Sequence, residues 1–155
     1  MKIKSLVLAI SFLLLLWFVF PLLFIILNQW LGLPVYIFGM FRLIGIILVV
    51  SGLIIALIAS LTFIKVGTGT PVIIEPPKKL VIKGLYQKTR NPIYLAHLMI
   101  FLGLFIFLGH LMLLIYVIIG AIGFNLYIIK HEELILKQRF GHDYIDYTKS
   151  VPRWI

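Results

Sequence analysis

The sequence predicts an all-α, polytopic membrane protein with four spanning helices, and three observations carry that prediction. Of 155 residues, 63% are hydrophobic and only 12% charged, with a mean hydropathy of +1.16; a soluble domain has about 45–50% apolar and about 25% charged residues. Four stretches of roughly helical length carry no charge at all, and 13 of the 14 Lys and Arg residues crowd into three segments between and around them. A water-soluble globule is excluded, and so is disorder, which needs low hydrophobicity. The absence of Cys excludes disulfides, Cys-zinc sites, iron–sulfur clusters and thiol catalysis.

The elements lie in order within a single membrane domain, 1–155. Residues 5–27 are free of charge and exceed the roughly 20 residues that a spanning helix needs. Lys2 and Lys4 before them imitate a signal peptide, but the apolar run is too long and no small-x-small site precedes Asn28-Gln29-Trp30. The first helix is therefore read as retained. The second span is 43–64, closed by Lys65; the third is 93–108, and the fourth 111–129. Only Gly109-His110 separates the last two, which forces a tight antiparallel hairpin. Span three, at 1.5 Å per residue, covers about 24 Å, short of a hydrocarbon core of about 30 Å.

The loops give the orientation. Only Arg42 lies away from the N-terminal stub, the 65–92 loop and the 130–155 tail, so the positive-inside rule puts both termini and that loop in the cytoplasm. The formal charge of +9 then faces an anionic leaflet, where each cation adds about 1 kcal/mol of attraction. That explains the basic balance without nucleic acid. The loop is rich in Gly, Pro and Lys and reads as irregular; the tail reads as a continuation of helix four, a break at Gly141 and a second short helix. All five carboxylates lie in these two segments.

Thr89-Arg90-Asn91-Pro92-Ile93-Tyr94 starts span three. Asn suits an N-cap and Pro the first helical position, so one reading is a cap flanked by an interfacial Arg and Tyr. The other is that the helix N-terminus, with its free amides, receives a ligand carboxylate or phosphate. Glu132-Glu133 stands at the mouth of span four, where charge is costly to desolvate. Glu133 is expected to pair with Lys137 at i+4. Glu132 is expected to meet a cationic ligand, on a polar stripe that Asn125 and Arg139 extend seven residues either way. His97 shares a face with Tyr94 and is expected to hydrogen-bond a neighbouring helix. No His or carboxylate set has metal spacing, no Ser-His-Asp constellation can be built, and Gly67-Thr68-Gly69 is too short for a phosphate loop and reads as a flexible turn.

Taken together, these segments are more specific than any one alone. Gly67-Thr68-Gly69-Thr70-Pro71, then Leu80-Val81, Gly84, Tyr86, Arg90-Asn91-Pro92 and Tyr94, then Glu132-Glu133, Leu136, Phe140-Gly141, Tyr144, Tyr147 and Val151-Pro152-Arg153 form an ordered pattern. The pattern resembles the isoprenylcysteine carboxyl methyltransferase family, part of a wider membrane-methyltransferase group that includes phospholipid N-methyltransferases. The likeness covers about residues 65–155. It implies a helical membrane enzyme that binds S-adenosylmethionine at the cytoplasmic face and acts on a lipophilic small molecule or lipid reaching it from the bilayer. Carried over position by position, the family's cofactor contacts fall on Lys78, Lys79, Leu80, Val81, Tyr86, Asn91, Pro92, Ile93, Tyr94 and Glu132. Arg90 is the candidate for orienting an anionic substrate or the cofactor carboxylate; no metal is implied.

Two positions depart from the family pattern. Asn91 stands where the eukaryotic prenylcysteine enzymes have His, as in many prokaryotic relatives. Ile128 stands where those enzymes place the Arg that meets the substrate carboxylate, leaving Lys130 and Arg153 as the cations able to substitute. The relatives continue with another Pro about where this chain has Ile155. Two other readings stand beside the methyltransferase: a small NADPH-dependent membrane reductase of the sterol reductase type, whose tail has a similar aromatic-Gly pattern, and a non-catalytic membrane adaptor.

Overall fold

The computed structural model describes residues 3–68 and 77–155. Gly69, Thr70 and Pro71 of the Gly-Thr-Pro motif lie outside the described residues, as does Glu75. Helices α1 (Ile3–Leu14) and α2 (Phe20–Trp30) run on through a π-helical turn at Leu15–Val19. A 3-10 turn at Gly39–Phe41 leads into α3 (Arg42–Thr62), which ends in a second π turn at Phe63–Gly67. Another 3-10 turn, Gly84–Gln87, precedes α4 (Pro92–Leu108) and α5 (Leu111–Tyr127). A third π turn, Ile128–Glu132, joins α5 to α6 (Glu133–Phe140), and α7 (His142–Ser150) comes last. No strand occurs among the described residues.

Three helical runs are long and apolar enough to cross a membrane: Ile10–Trp30, Gly39–Gly67 and Leu111–Phe140. The fourth apolar helix, Pro92–Leu108, is shorter at 17 residues. The boundaries expected from charge-free runs thus shift. The second run extends past 43–64 at both ends, and the fourth continues to Phe140 because Lys130 to Arg139 are good helix formers that need no lipid. The hairpin between α4 and α5 forms as spacing requires. Gly109 adopts φ +77°, a conformation that favours glycine, and its amide returns to Phe105 O at 2.7 Å.

Helix α4 is positioned by the absence of side chains on α3. Gly45, Gly52, Ala56 and Ala59 are buried along one face of α3, and Ala96, Ile100 and Gly103 are buried on α4. A Cβ at Gly103 would stand 2.6 Å from Gly45 O, and one at Gly45 2.8 Å from Gly103 O. In lipid, where apolar surface gains nothing by leaving the solvent, such backbone approach is what packs two helices. On its other side α4 meets an aromatic core: Phe101 lies 4.5 Å from Tyr116, which lies 5.1 Å from Phe24, ring centre to ring centre.

That core explains the first π turn. Pro21 has no N–H to return, and the Phe20 N–H reaches back five residues to Leu15 O. The Tyr116 hydroxyl, from α5, donates to Leu16 O at 2.8 Å. Asn28, fully buried, performs the same service at the opposite end of the helix: it donates to Leu33 O at 2.9 Å and accepts the Met112 amide of α5 at 3.0 Å. His97 departs from expectation. Its Nδ1–H donates to Ile93 O, one turn back on its own helix, at 2.6 Å, and its ring packs against Trp17, Phe101 and Phe124. The aromatic rings fill the space a neighbouring helix's acceptor needs.

Candidate functional site

The site forms where the start of α4, the π turn after α5 and the tail meet. Gly84 at φ +61° turns the chain into the 3-10 turn, which buries Tyr86 against Ala59 and Val81. Asn91 then leads into Pro92, the first residue of α4, with Ile93 packed in the same cluster as Tyr86. Asn91 occupies the N-cap position, but its side chain does not cap the helix. Its Nδ2 donates to Arg153 O at 2.9 Å instead, and Thr89 Oγ1 donates to the same carbonyl at 3.0 Å. The helix therefore starts at Asn91-Pro92 as expected, but without a side-chain cap, the Asn91 amide group being turned to the tail.

The π turn sets the two carboxylates. The Glu133 N–H reaches back five residues to Ile128 O, so the turn holds one residue more than an α-helix and rotates the next stretch of helix by about 100°. Glu132 thereby faces α4, where the Tyr94 hydroxyl donates to its Oε2 at 2.7 Å. Glu133 faces the tail. It does not pair with Lys137, as local spacing suggests; it accepts Arg153 Nε at 2.8 Å, Arg153 Nη2 at 3.0 Å and Arg90 Nη1 at 2.9 Å. Two guanidinium groups outcompete one exposed ammonium, because a forked donor matches a carboxylate in two places. The polar stripe expected along Asn125, Glu132 and Arg139 is likewise broken by the extra residue. Asn125 Oδ1 accepts Trp154 Nε1 at 3.2 Å, and Arg139 is exposed.

A cavity opens between these groups. Leu80, Val81, Tyr86 and Phe63 form its apolar wall, and Arg90, Asn91, Glu132 and Glu133 its polar one. Ile128, fully buried, lies beside Glu132, and Leu136, Tyr144 and Tyr147 of the tail complete the lining. Of the eleven residues to which the resemblance gives a cofactor or orienting role, six meet here: Leu80, Val81, Tyr86, Arg90, Asn91 and Glu132. Tyr94 is reached through Glu132, and Pro92 is buried below. Lys78 and Lys79 stand apart with exposed side chains; their amides both donate to Gly67 O, at 2.8 and 3.4 Å. Phe63 was not legible, as it stands in an apolar run like many others. Tyr144 and Tyr147 carry a signal, since i, i+3 spacing puts both rings on one face of a short helix.

The electrostatics are set by burial. Burial holds the Tyr147 and Tyr144 hydroxyls above the usual tyrosine range, with Glu133 reinforcing the effect at Tyr144 and Arg90 opposing it. Tyr86 is raised by burial and then by Glu132. The hydrogen bond to Glu133 fixes the charge on Arg153. Two features are left open. Glu132 has no cationic partner among the described residues, and Arg90, beside it on the cavity wall, keeps a buried Nε–H without an acceptor. No group of His, Asp or Glu able to hold a metal occurs among the described residues.

Comparison with known proteins supplies one match. Residues 40–143, from the turn before α3 to the start of α7, match the family model described as phospholipid methyltransferase. No match emerges among curated proteins or among solved structures.

Proposed function

This chain belongs to the phospholipid methyltransferase family, and we propose that it is an S-adenosylmethionine-dependent enzyme that methylates a lipophilic small molecule or lipid delivered by the bilayer. Family membership supports a membrane methyltransferase acting on lipid-like substrates. The donor and the residues that hold it are our reading of the site. One observation carries that reading. Among the described residues, the cavity wall holds a half-buried carboxylate without a cation, Glu132, and a buried guanidinium N–H without an acceptor, Arg90 Nε. An ammonium and a carboxylate on one ligand answer both, since buried charge is strongly disfavoured until paired.

S-adenosylmethionine has that amino-acid group, and when bound it supplies an electrophilic methyl on a sulfonium. Leu80, Val81 and Tyr86 offer its adenine a flat apolar wall. Tyr94 fixes the Glu132 carboxylate toward the ammonium, and Arg90 meets the carboxylate. Lys78, Lys79, Asn91, Pro92 and Ile93 shape the loop and the helix start around it. Leu136, Tyr144 and Tyr147 exclude water. Direct displacement at a sulfonium asks for alignment more than for a proton relay, and alignment alone can be worth about 7–11 kcal/mol. We assign no general base and no metal.

The site also speaks to the acceptor. Ile128 gives no charge, Lys130 is exposed, and Arg153, the other candidate to hold a substrate carboxylate, is spent on Glu133. An acceptor that is neutral or cationic suits such a wall. The positive-inside distribution supports a cytoplasmic site and cytoplasmic termini. Mass spectrometry of the ligand released from gently purified protein tests the reading. S-adenosylmethionine or its demethylated product is expected; NADP(H) would establish the reductase reading instead.

A further inference from the structure

The family match stops at residue 143, yet the segment beyond it hydrogen-bonds the start of α4, α5 and Glu133. Arg90 N–H donates to Pro152 O at 3.0 Å, and Thr89 and Asn91 both donate to Arg153 O. Tyr147 donates to Tyr86 O at 2.6 Å, and Trp154 to Asn125 on α5. Residues 151–154 thus run as a strap over the start of α4 and down the side of α5. The strap ends in a side chain that reaches back: Arg153 holds both oxygens of Glu133.

We propose that Arg153 is a positioning residue for the ligand site, seated by the strap that Trp154 anchors, and that it acts by separating the roles of two adjacent carboxylates. Glu132 and Glu133 are chain neighbours on one cavity wall and compete for any cation there. Arg153 engages Glu133 from outside the cavity, in the forked geometry only arginine provides. Arg90 needs then to give Glu133 a single nitrogen, Nη1, and its Nε is left for a ligand. Glu132 in turn keeps only the neutral Tyr94 hydroxyl and stays available to a ligand cation. Without Arg153, Arg90 is drawn fully onto Glu133 and the amino-acid half of the site loses its donor for a ligand carboxylate.

The inference rests on the proposed donor, and the test separates the two. Arg153→Gln, Arg153→Lys and Trp154→Phe are purified in detergent, their melting followed, and binding measured by calorimetry for two probes. S-adenosylhomocysteine carries the amino-acid group and 5′-methylthioadenosine lacks it. Arg153→Gln is expected to weaken the first by about tenfold or more, as loss of a charged partner does, and to leave the second within about threefold, a small change on that scale. Lys at 153 restores part of the loss, and Trp154→Phe, which keeps an aromatic ring and removes the N–H, shows the same selectivity more weakly. Equal weakening of both probes, or no change in either, overturns the positioning role. Failure of the unsubstituted protein to bind either probe overturns the proposed donor itself. Where Arg153→Gln fails to fold, the Lys and Phe variants carry the same comparison.

Discussion

The hydroxyl of Tyr94 donates to Glu132 Oε2 at 2.7 Å, joining the first turn of α4 to the last residue of the π turn after α5. The two helices run antiparallel, so this bond fixes their relative height at the site. A hydrogen bond to a charged group contributes about 1.5–3 kcal/mol. Tyr94→Phe keeps the ring, which packs 5.1 Å from Phe124, and removes only the donor. It is expected to reduce affinity for S-adenosylhomocysteine by about tenfold, each decade being about 1.4 kcal/mol. Calorimetry on the two proteins checks this, and an unchanged affinity would detach Tyr94 from the site.

Glu132 and Glu133 are expected to fail differently. Glu132→Gln removes a carboxylate that no cation holds, so melting is retained and ligand affinity lost. Glu133→Gln leaves Arg90 and Arg153, with side chains 12% and 32% exposed, facing a neutral amide. Breaking a buried pair on one side costs about 3–5 kcal/mol, and partial exposure of Arg153 reduces that. At about 2–4 °C per kcal/mol for a chain of this size, the melting temperature drops by several degrees. Parallel melting and binding curves separate the two; similar profiles for both variants contradict the division of roles.

Much of the architecture is legible in the sequence because its causes are local. Charge-free runs mark the helices, two residues between α4 and α5 dictate a hairpin, and Gly141 breaks α6 from α7 at φ +54°. The site is less legible because its causes are distant. Lys137 is the partner that local spacing offers Glu133, but the partners that hold it are 43 and 20 residues away. The first π turn shares that origin, alongside the local effect of Pro21. Nothing near Leu16 announces that Tyr116, 100 residues on, will satisfy its carbonyl. Glu132 and Arg90 stand out in the sequence by their place at the mouths of charge-free runs, and the structure brings both to one cavity wall.

The docked tail is expected to loosen in alkali. Tyr147 donates to Tyr86 O at 2.6 Å, and burial holds its hydroxyl well above the ordinary value of 10.0. A raised pKa in the folded state means that its contribution is complete below pH 10.0 and falls as pH rises above it, when the undocked tyrosine ionises and the docked one resists. Melting temperature is therefore expected to fall above that pH. Tyr147→Phe makes the fall shallower without abolishing it, because burial raises Tyr144 and Tyr86 too. Melting curves across that range decide it; an identical alkaline slope in Tyr147→Phe contradicts the assignment.

The α3–α4 contact predicts intolerance of the smallest side chain. A methyl at Gly103 meets backbone, Gly45 O at 2.6 Å and Val49 N at 2.9 Å, with no flexible chain end to move aside. Gly103→Ala is expected to separate the helices and lower the melting temperature. Overpacking costs about 1–3 kcal/mol. Gly123→Ala is the control, since nothing lies within 4 Å of a methyl there. Equal melting of the two variants contradicts the packing described.

The last prediction concerns the acceptor, and rests on Ile128. This side chain is fully buried on the cavity wall beside Glu132, where the prenylcysteine enzymes that the chain resembles place an arginine. A substrate carboxylate arriving there finds no free cation: Arg153 is held by Glu133, and the one open N–H of Arg90, its Nε, is the group assigned to the donor's carboxylate. It also finds the Glu132 carboxylate close by, and an unpaired buried anion is strongly disfavoured. A farnesylated cysteine analogue is therefore expected to be methylated poorly, and a lipophilic amine or neutral acceptor better. Ile128→Arg supplies the missing cation but places it one turn from Glu132, with which it can pair. The variant is thus expected to shift preference toward the carboxylate acceptor while weakening S-adenosylhomocysteine binding. Rates on the two acceptors with a radiolabelled methyl donor, alongside calorimetry, read both effects. Efficient methylation of the farnesylated analogue by the unsubstituted protein overturns the argument and returns the carboxylate to Lys130, the remaining cation near that turn.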